Sequence, residues 1–93
     1  MITINEYFDG TVKSLGYQTN EGKSTVGVME DGIYKFGTST DETMLVIEGE
    51  LEVLLLGETE WLSVKKGASF EVPANTSFEV KSKGQTSYLC TYK

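Results

Sequence analysis

The parts of this sequence equipped for chemistry are two acidic stretches, a lysine beside a glycine, and pairs of aromatic residues. Glu48, Glu50 and Glu52 alternate with Gly49 and Leu51, so in one continuous strand they would share a face. That pattern is either a divalent-cation site or a solvated strand whose charges block edge pairing. Glu42 follows a turn and runs directly into Met44-Leu45-Val46-Ile47. A carboxylate in that place enters the mouth of a barrel or caps a turn. Lys23 lies in Glu21-Gly22-Lys23-Ser24-Thr25, which reads as a glycine loop followed by two hydroxyls. Such a loop offers ammonium, hydroxyl and backbone N–H groups to a phosphate; otherwise Lys23 is a solubilising surface charge. Lys13-Ser14 and Lys35 are alternatives on strands. Tyr7 with Phe8, Tyr34 with Phe36, and Tyr88 with Tyr92 either line a pocket or fill the core.

Absent residue types narrow the chemistry further. The 93 residues include no histidine, and all eight cations are lysines. The commonest general base and the commonest transition-metal ligand are therefore both missing. Ser-His-Asp triads, zincins and His-ligated oxygenases are excluded. A single cysteine, Cys90, rules out an internal disulfide and a Cys-rich zinc site. With no histidine to activate it, Cys90 reads as a small buried hydrophobe. A net charge of −6 leaves no basic face for a nucleic-acid backbone. No apolar run approaches the roughly 18 residues of a membrane-spanning helix. The opening Met1-Ile2-Thr3-Ile4-Asn5-Glu6 lacks a basic region, so a signal peptide is not expected. A cytoplasmic location follows as the expectation.

Short strands must position these groups. Asp9-Gly10, Asn20-Glu21-Gly22, Asp31-Gly32, Glu48-Gly49, Lys66-Gly67 and Pro73-Ala74-Asn75 are among the closely spaced turn signals. Between the turns lie stretches rich in Val, Thr, Tyr, Phe and Ile. The predicted strands are 11–17, 24–30, 33–38, 44–48, 50–56, 61–64, 69–72, 77–81 and 86–92. Asp9-Gly10 and Asp31-Gly32 predict two-residue hairpins. Ser69-Phe70-Glu71-Val72 returns as Ser77-Phe78-Glu79-Val80 across a proline-containing turn, which predicts a further hairpin. No helical period survives such frequent turns. The fold class is all-β, one sandwich or barrel over residues 1–93.

Two stretches resemble the motifs of cupin barrels with the metal ligands removed. Glu42-Thr-Met-Leu-Val-Ile-Glu-Gly49 has the spacing from acidic ligand to glycine, while Lys35-Phe36-Gly37-Thr38 stands where two histidines would precede it. In Gly67-Ala-Ser-Phe-Glu-Val-Pro73-Ala-Asn75-Thr-Ser-Phe78, Asn75 replaces the usual glycine and Phe78 the usual histidine. Over the whole chain, Asn5-Glu6-Tyr7-Phe8, Val12-Lys13-Ser14, Ser24 to Met29, and the tail Thr86-Ser87-Tyr88-Leu89-Cys90-Thr91-Tyr92 resemble the small pyrimidine/purine nucleoside phosphorylases. One departure is Lys23, where an arginine is expected; a lysine is a point charge and not a bidentate fork.

The resemblance implies a cupin-like jelly-roll barrel of antiparallel strands and the phosphorolysis of purine and pyrimidine nucleosides to free base and (deoxy)ribose 1-phosphate. Phosphate is already a competent anion, so a histidine base is not required for an oxocarbenium-like reaction of this kind. For such a reaction Lys23 with the nearby Ser24 and Thr25 hydroxyls would hold phosphate, and Glu42, if it points into the barrel like its cupin counterpart, would accept from the ribose hydroxyls and face the developing positive charge. The departing base would gain a proton or hydrogen bond from Tyr88, Tyr34 or water. Phe36 and Phe78, with Thr38 beside them, would offer stacking faces, which tolerate any base, or else fill the space that a metal would occupy. No cofactor or metal is implied, only inorganic phosphate as co-substrate. A homodimer is implied by the resemblance and by the small core, with the Ile2–Phe8 segment as an interface strand. The alternative is a non-enzymatic cupin that binds a sugar or nucleotide as a sensor. Metal-dependent dioxygenase or isomerase chemistry is disfavoured by the missing histidines.

Overall fold

Alternation between buried and exposed side chains makes ten strands out of this chain, and the computed structural model describes residues 1–93. They are β1 (Thr3–Tyr7), β2 (Val12–Thr19), β3 (Gly22–Met29), β4 (Gly32–Gly37), β5 (Glu42–Glu48), β6 (Glu50–Leu55), β7 (Leu62–Lys65), β8 (Ser69–Val72), β9 (Ser77–Ser82) and β10 (Thr86–Tyr92). A six-stranded sheet has the order β1-β2-β3-β10-β5-β8, and a four-stranded sheet the order β4-β9-β6-β7. Neighbours within each sheet are antiparallel. No ladder joins the two sheets, so the expected barrel is not closed by backbone hydrogen bonds. Side chains bridge the layers instead. Val12, Met29, Val46 and Val72 from the large sheet meet Leu51, Val53 and Val80 from the small one, each 1 % exposed or less. Each such side chain stabilises the fold by about 1.5–3 kcal/mol relative to its exposed state.

Three expected turns do different work from that predicted. β3 and β4 lie in different sheets, so Asp31-Gly32 is a crossing between layers and not a hairpin. β8 and β9 also part company across Pro73–Thr76, and Phe70 and Phe78 meet from opposite layers with ring centroids 5.9 Å apart. Between β1 and β2 the chain makes a 3-10 turn at Phe8–Gly10, in which Phe8, Asp9 and Gly10 all have positive φ. Gly49 separates the acidic trio. Its φ of +97° turns the chain from one sheet into the other, so Glu48 ends β5 while Glu50 and Glu52 belong to β6. A side chain at Gly49 would also meet the Thr86 hydroxyl at 2.7 Å and the Gln85 carbonyl at 2.9 Å.

Polar staples tie the layers at both ends. At one end, Gly84 N donates to Asp31 Oδ2 at 2.8 Å and Gln85 Nε2 to Glu30 Oε1 at 3.0 Å. At the other, Thr38 Oγ1 donates to the Pro73 carbonyl at 2.8 Å and accepts from Thr76 N at 3.1 Å. Ala74 N donates to Asp41 Oδ1 at 2.8 Å in the same cluster. Asn75, in the place of a glycine, adopts φ 59°, a left-handed conformation asparagine tolerates better than most residues. This second staple fixes where β5 begins, and with it Glu42.

Candidate functional site

The largest cavity lies between the sheets at the Glu42 end, with a volume of about 490 Å³. That is within the usual range for a small-molecule site. Its walls differ in chemistry. From the small sheet come Phe36 and Phe78, centroids 5.7 Å apart, with Phe8 at the rim making an edge contact to Phe36 at 5.6 Å. From the large sheet come Ser14, Thr25, Glu42, Met44, Tyr88, Cys90 and Tyr92. Period-two alternation is the cause: Ser14 is in phase with Val12, Thr25 with Met29, Glu42 with Met44, and Tyr88, Cys90 and Tyr92 with one another.

The polar wall is internally hydrogen-bonded. Cys90 Sγ donates to Glu42 Oε1 at 3.4 Å. The Tyr92 and Thr25 hydroxyls are 3.0 Å apart. Asn5 Nδ2 donates to Ser14 Oγ at 3.3 Å, and Ser14 is in turn a partner of the Tyr88 hydroxyl. Burial raises the Glu42 pKa, against the opposing pull of the thiol that donates to it. Burial, followed by the proximity of Cys90, pushes Tyr88 up to about 12. Burial and then the charge of Glu42 push Cys90 up to about 12 as well. Tyr92 is raised chiefly by burial. At neutral pH the wall therefore presents a thiol and two phenols as proton carriers, and Cys90 is no thiolate nucleophile.

The structure brings together Glu42, Tyr88, Phe36 and Phe78 of the residues singled out from the sequence. Lys23 lines an adjoining depression that shares Tyr7, Thr25 and Tyr92 with the cavity, and its Nζ lies 5.6 Å from the Tyr92 ring centroid. Ser24 is buried on the opposite face of β3. The strand begins at Gly22 and not at Ser24, so Lys23 and Ser24 are strand neighbours pointing apart, and Thr25 takes the cavity side. Tyr34 is a core residue outside the cavity, its hydroxyl donating to the Glu30 carbonyl at 2.7 Å. Thr38 is spent on the staple to Pro73 and Thr76. Ser14 and Thr25 were named in the sequence only as hydroxyls beside Lys13 and in the Lys23 loop; extending the alternation of β2 and β3 from Val12 and Met29 puts both on the cavity side. No group of three or more His, Cys, Asp or Glu side chains is placed to share a metal ion.

Comparison with known proteins gives a consistent result. A family model described as pyrimidine/purine nucleoside phosphorylase matches residues 2–92. A relative of that name from Marinobacter nauticus is 51% identical over 99% of both chains. Another, from Pseudomonas syringae pv. tomato, is 50% identical over the full length of both. Among solved structures, a protein of unknown function from Vibrio parahaemolyticus superposes with a TM-score of 0.97 at 45% identity, covering 100% of this chain and 99% of that one. Hydroxypropylphosphonic acid epoxidase from S. wedmorenis shares the fold alone, with a TM-score of 0.81 at 13% identity over 99% of this chain and 55% of that one.

Proposed function

The chain belongs to the pyrimidine/purine nucleoside phosphorylase family, and from that premise we infer that the cavity between the sheets is where a nucleoside and phosphate react. The protein is a nucleoside phosphorylase acting on purine and pyrimidine nucleosides. The observation that carries the site assignment is the opposition of an aromatic wall to a hydroxyl and carboxylate wall across one cavity. A base lies against Phe36, whose face does not discriminate between ring systems. The ribose turns toward Glu42, which accepts from its hydroxyls and faces the positive charge that develops as the glycosidic bond lengthens.

Phosphate oxygen forms the new bond to the anomeric carbon while the C–N bond breaks, and the base leaves with that electron pair. Tyr88 remains protonated at neutral pH and donates a hydrogen bond to the departing base. Lys23, stacked over Tyr92, supplies the cation for phosphate, with the Thr25 hydroxyl between the two depressions. Phosphate is the co-substrate, and the reaction as drawn requires no organic cofactor. In this reading the protein works as a cytoplasmic homodimer; no helix is long and apolar enough to cross a membrane.

The test is chromatographic. Purified protein is incubated with adenosine or uridine, with and without phosphate, beside an identically prepared Glu42→Gln variant. Phosphate-dependent release of both adenine and uracil is expected, with kcat lowered more than KM is raised in the variant. Lys23→Ala should raise the KM for phosphate, whereas Lys65→Ala, on β7 and away from the cavity, should not. Saturable nucleoside binding without release would overturn the enzyme reading in favour of a sensor.

A further inference from the structure

We propose that Phe8 is the second aromatic contact of the base, and that the strained backbone at this residue holds its ring at the cavity rim. The proposal rests on the reading of the cavity as the nucleoside site and adds a residue to it. Phe8 has a φ of 51°, and Asp9 after it one of 58°. Aspartate visits that region with some ease, but a bulky side chain there is a genuine outlier. A glycine would make the same turn without the penalty, as Gly10 does two residues on. Burial does not explain the choice, since 44% of Phe8 is exposed. Backbone strain of this kind collects at ligand clamps, where the surrounding structure holds it in place.

Thr11 does the holding. The Phe8 carbonyl accepts twice from it, from the hydroxyl at 2.7 Å and from the N–H at 3.2 Å. The Thr11 carbonyl in turn accepts from Glu30 N at 2.8 Å, which ties the turn to the residue that follows β3. Held this way, the ring reaches from the end of β1, an edge of the large sheet, to β4, an edge of the small one. Its centroid lies 5.1 Å from that of Tyr34 and 5.6 Å from that of Phe36. No ladder joins the two edges, so side chains close the cavity on this side, and Phe8 is one of them.

The angle between the rings gives Phe8 its part in binding. The planes of Phe8 and Phe36 stand at 90°, and both rings line the cavity. A planar base laid parallel to Phe36 therefore stands at the same right angle to Phe8, the T-shaped arrangement that aromatic pairs favour. The two rings make a corner that holds the base by one face and one edge. Such a corner responds to flatness and area and not to the pattern of donors and acceptors on the base, which suits a family named for both pyrimidine and purine nucleosides. A purine, with its second ring, covers more of the corner than a pyrimidine does, so Phe8 contributes more to adenosine than to uridine. Phosphate is served from the opposite sheet, by Lys23 on β3, and its binding does not depend on Phe8.

Titration with the riboside of 2-aminopurine in the absence of phosphate tests it, because stacking quenches that fluorophore and no turnover is needed. Phe8→Ala and Phe8→Gly remove the ring alike, but only glycine accepts a φ of 51° without strain. Phe8→Gly should therefore melt at a higher temperature than Phe8→Ala. Both should raise the dissociation constant by the same factor, about tenfold, as expected for the loss of one ring that contacts a base. Phe8→Tyr keeps the ring and should bind within about twofold of wild type. In phosphorolysis, both ring-deleted variants should raise the KM for adenosine more than that for uridine and leave the KM for phosphate unchanged. Wild-type affinity in both variants would overturn the proposal. Affinities that follow the melting temperatures would overturn it too, since Phe8 would then serve only the fold. A wild-type protein that does not bind the riboside would overturn the cavity reading itself, and the part of Phe8 with it.

Discussion

Gly27 is the position where a single methyl group should most clearly separate packing from backbone propensity. It lies on the inward face of β3, opposite Ser14 on β2 and Tyr88 on β10. A Cβ there would stand 2.6 Å from the Tyr88 hydroxyl oxygen, 2.7 Å from its Cζ and 2.8 Å from the Lys13 carbonyl oxygen. The last of these is backbone, so swinging the phenol aside cannot relieve the clash. The φ of Gly27 is not in the left-handed region, and replacing such a glycine by alanine in open space would stabilise the fold by about 0.4–1 kcal/mol through the unfolded chain. Overpacking costs about 1–3 kcal/mol, and contacts under 3 Å on two sides place this site at the upper end. The balance is a loss of about 2 kcal/mol. For a chain of this size that lowers Tm by roughly 10 °C.

Thermal and urea unfolding followed by circular dichroism would measure it, with Gly16→Ala as the control. At Gly16 the nearest atom to a new Cβ is Thr3 Cβ at 3.5 Å, an ordinary contact, so that variant should match or exceed the wild type. Gly27→Ala should also lower kcat, because its methyl displaces the Tyr88 ring from the cavity wall. A Gly27→Ala protein as stable as the wild type would refute the reasoning. Equal losses in the two variants would refute it too, since the effect would then belong to glycine in strands generally.

Two further outcomes follow from the buried wall. Burial raises the Glu42 pKa, so the fold favours the protonated carboxyl; the stability it contributes is full below the ordinary value of 4.5 and is lost as pH rises through the folded value. Glu42→Gln should therefore raise Tm relative to wild type at pH 7 and lose that advantage below pH 4.5; the same difference at both pH values would contradict it. Cys90 is buried and held protonated up to about 12, so a thiol-labelling reagent at pH 8 should react with it many times more slowly in the folded protein than in urea, and equal rates would show the cavity wall to be open.

Much of the fold is legible in the sequence because alternation is a local signal: Phe70 and Val72, Phe78 and Val80, and Tyr88 and Cys90 each mark a strand and its buried face. What alternation does not encode is which sheet a strand joins. Asp31-Gly32 and Pro73–Thr76 carry turn chemistry that serves a hairpin or a crossing equally well, and the choice is made by ladder partners distant in sequence. Gly49 is similar: its flanking glutamates look continuous until its positive φ turns the chain. The site followed the same division. Glu42, Tyr88, Phe36 and Phe78 reach the cavity because their phase was readable from neighbouring apolar residues. Ser24 lies on the opposite face because β3 starts at Gly22, two residues before the predicted start, so Lys23 and Ser24 are strand neighbours and not loop residues.

The electrostatics of the cavity tie its polar wall to the reaction proposed for it. A protein with a net charge of −6 repels phosphate at long range, so attraction must be local. The wall contains one carboxylate, and Tyr88, Cys90 and Tyr92 beside it are driven by burial toward their neutral, proton-bearing forms. Raised pKa values here do not mark acids or bases poised near neutrality. They keep additional negative charge out of a space that must admit an anion, and they keep O–H and S–H donors available across the whole working range of pH. Histidine is dispensable under those conditions: the nucleophile arrives already ionised, and the wall has only to donate. Lys23 then matters more than its exposure suggests, because it is the cation stacked on Tyr92 at the border of the cavity. Its removal should weaken phosphate and leave the nucleoside, which the proposed reading sets against Phe36 and Glu42, comparatively untouched.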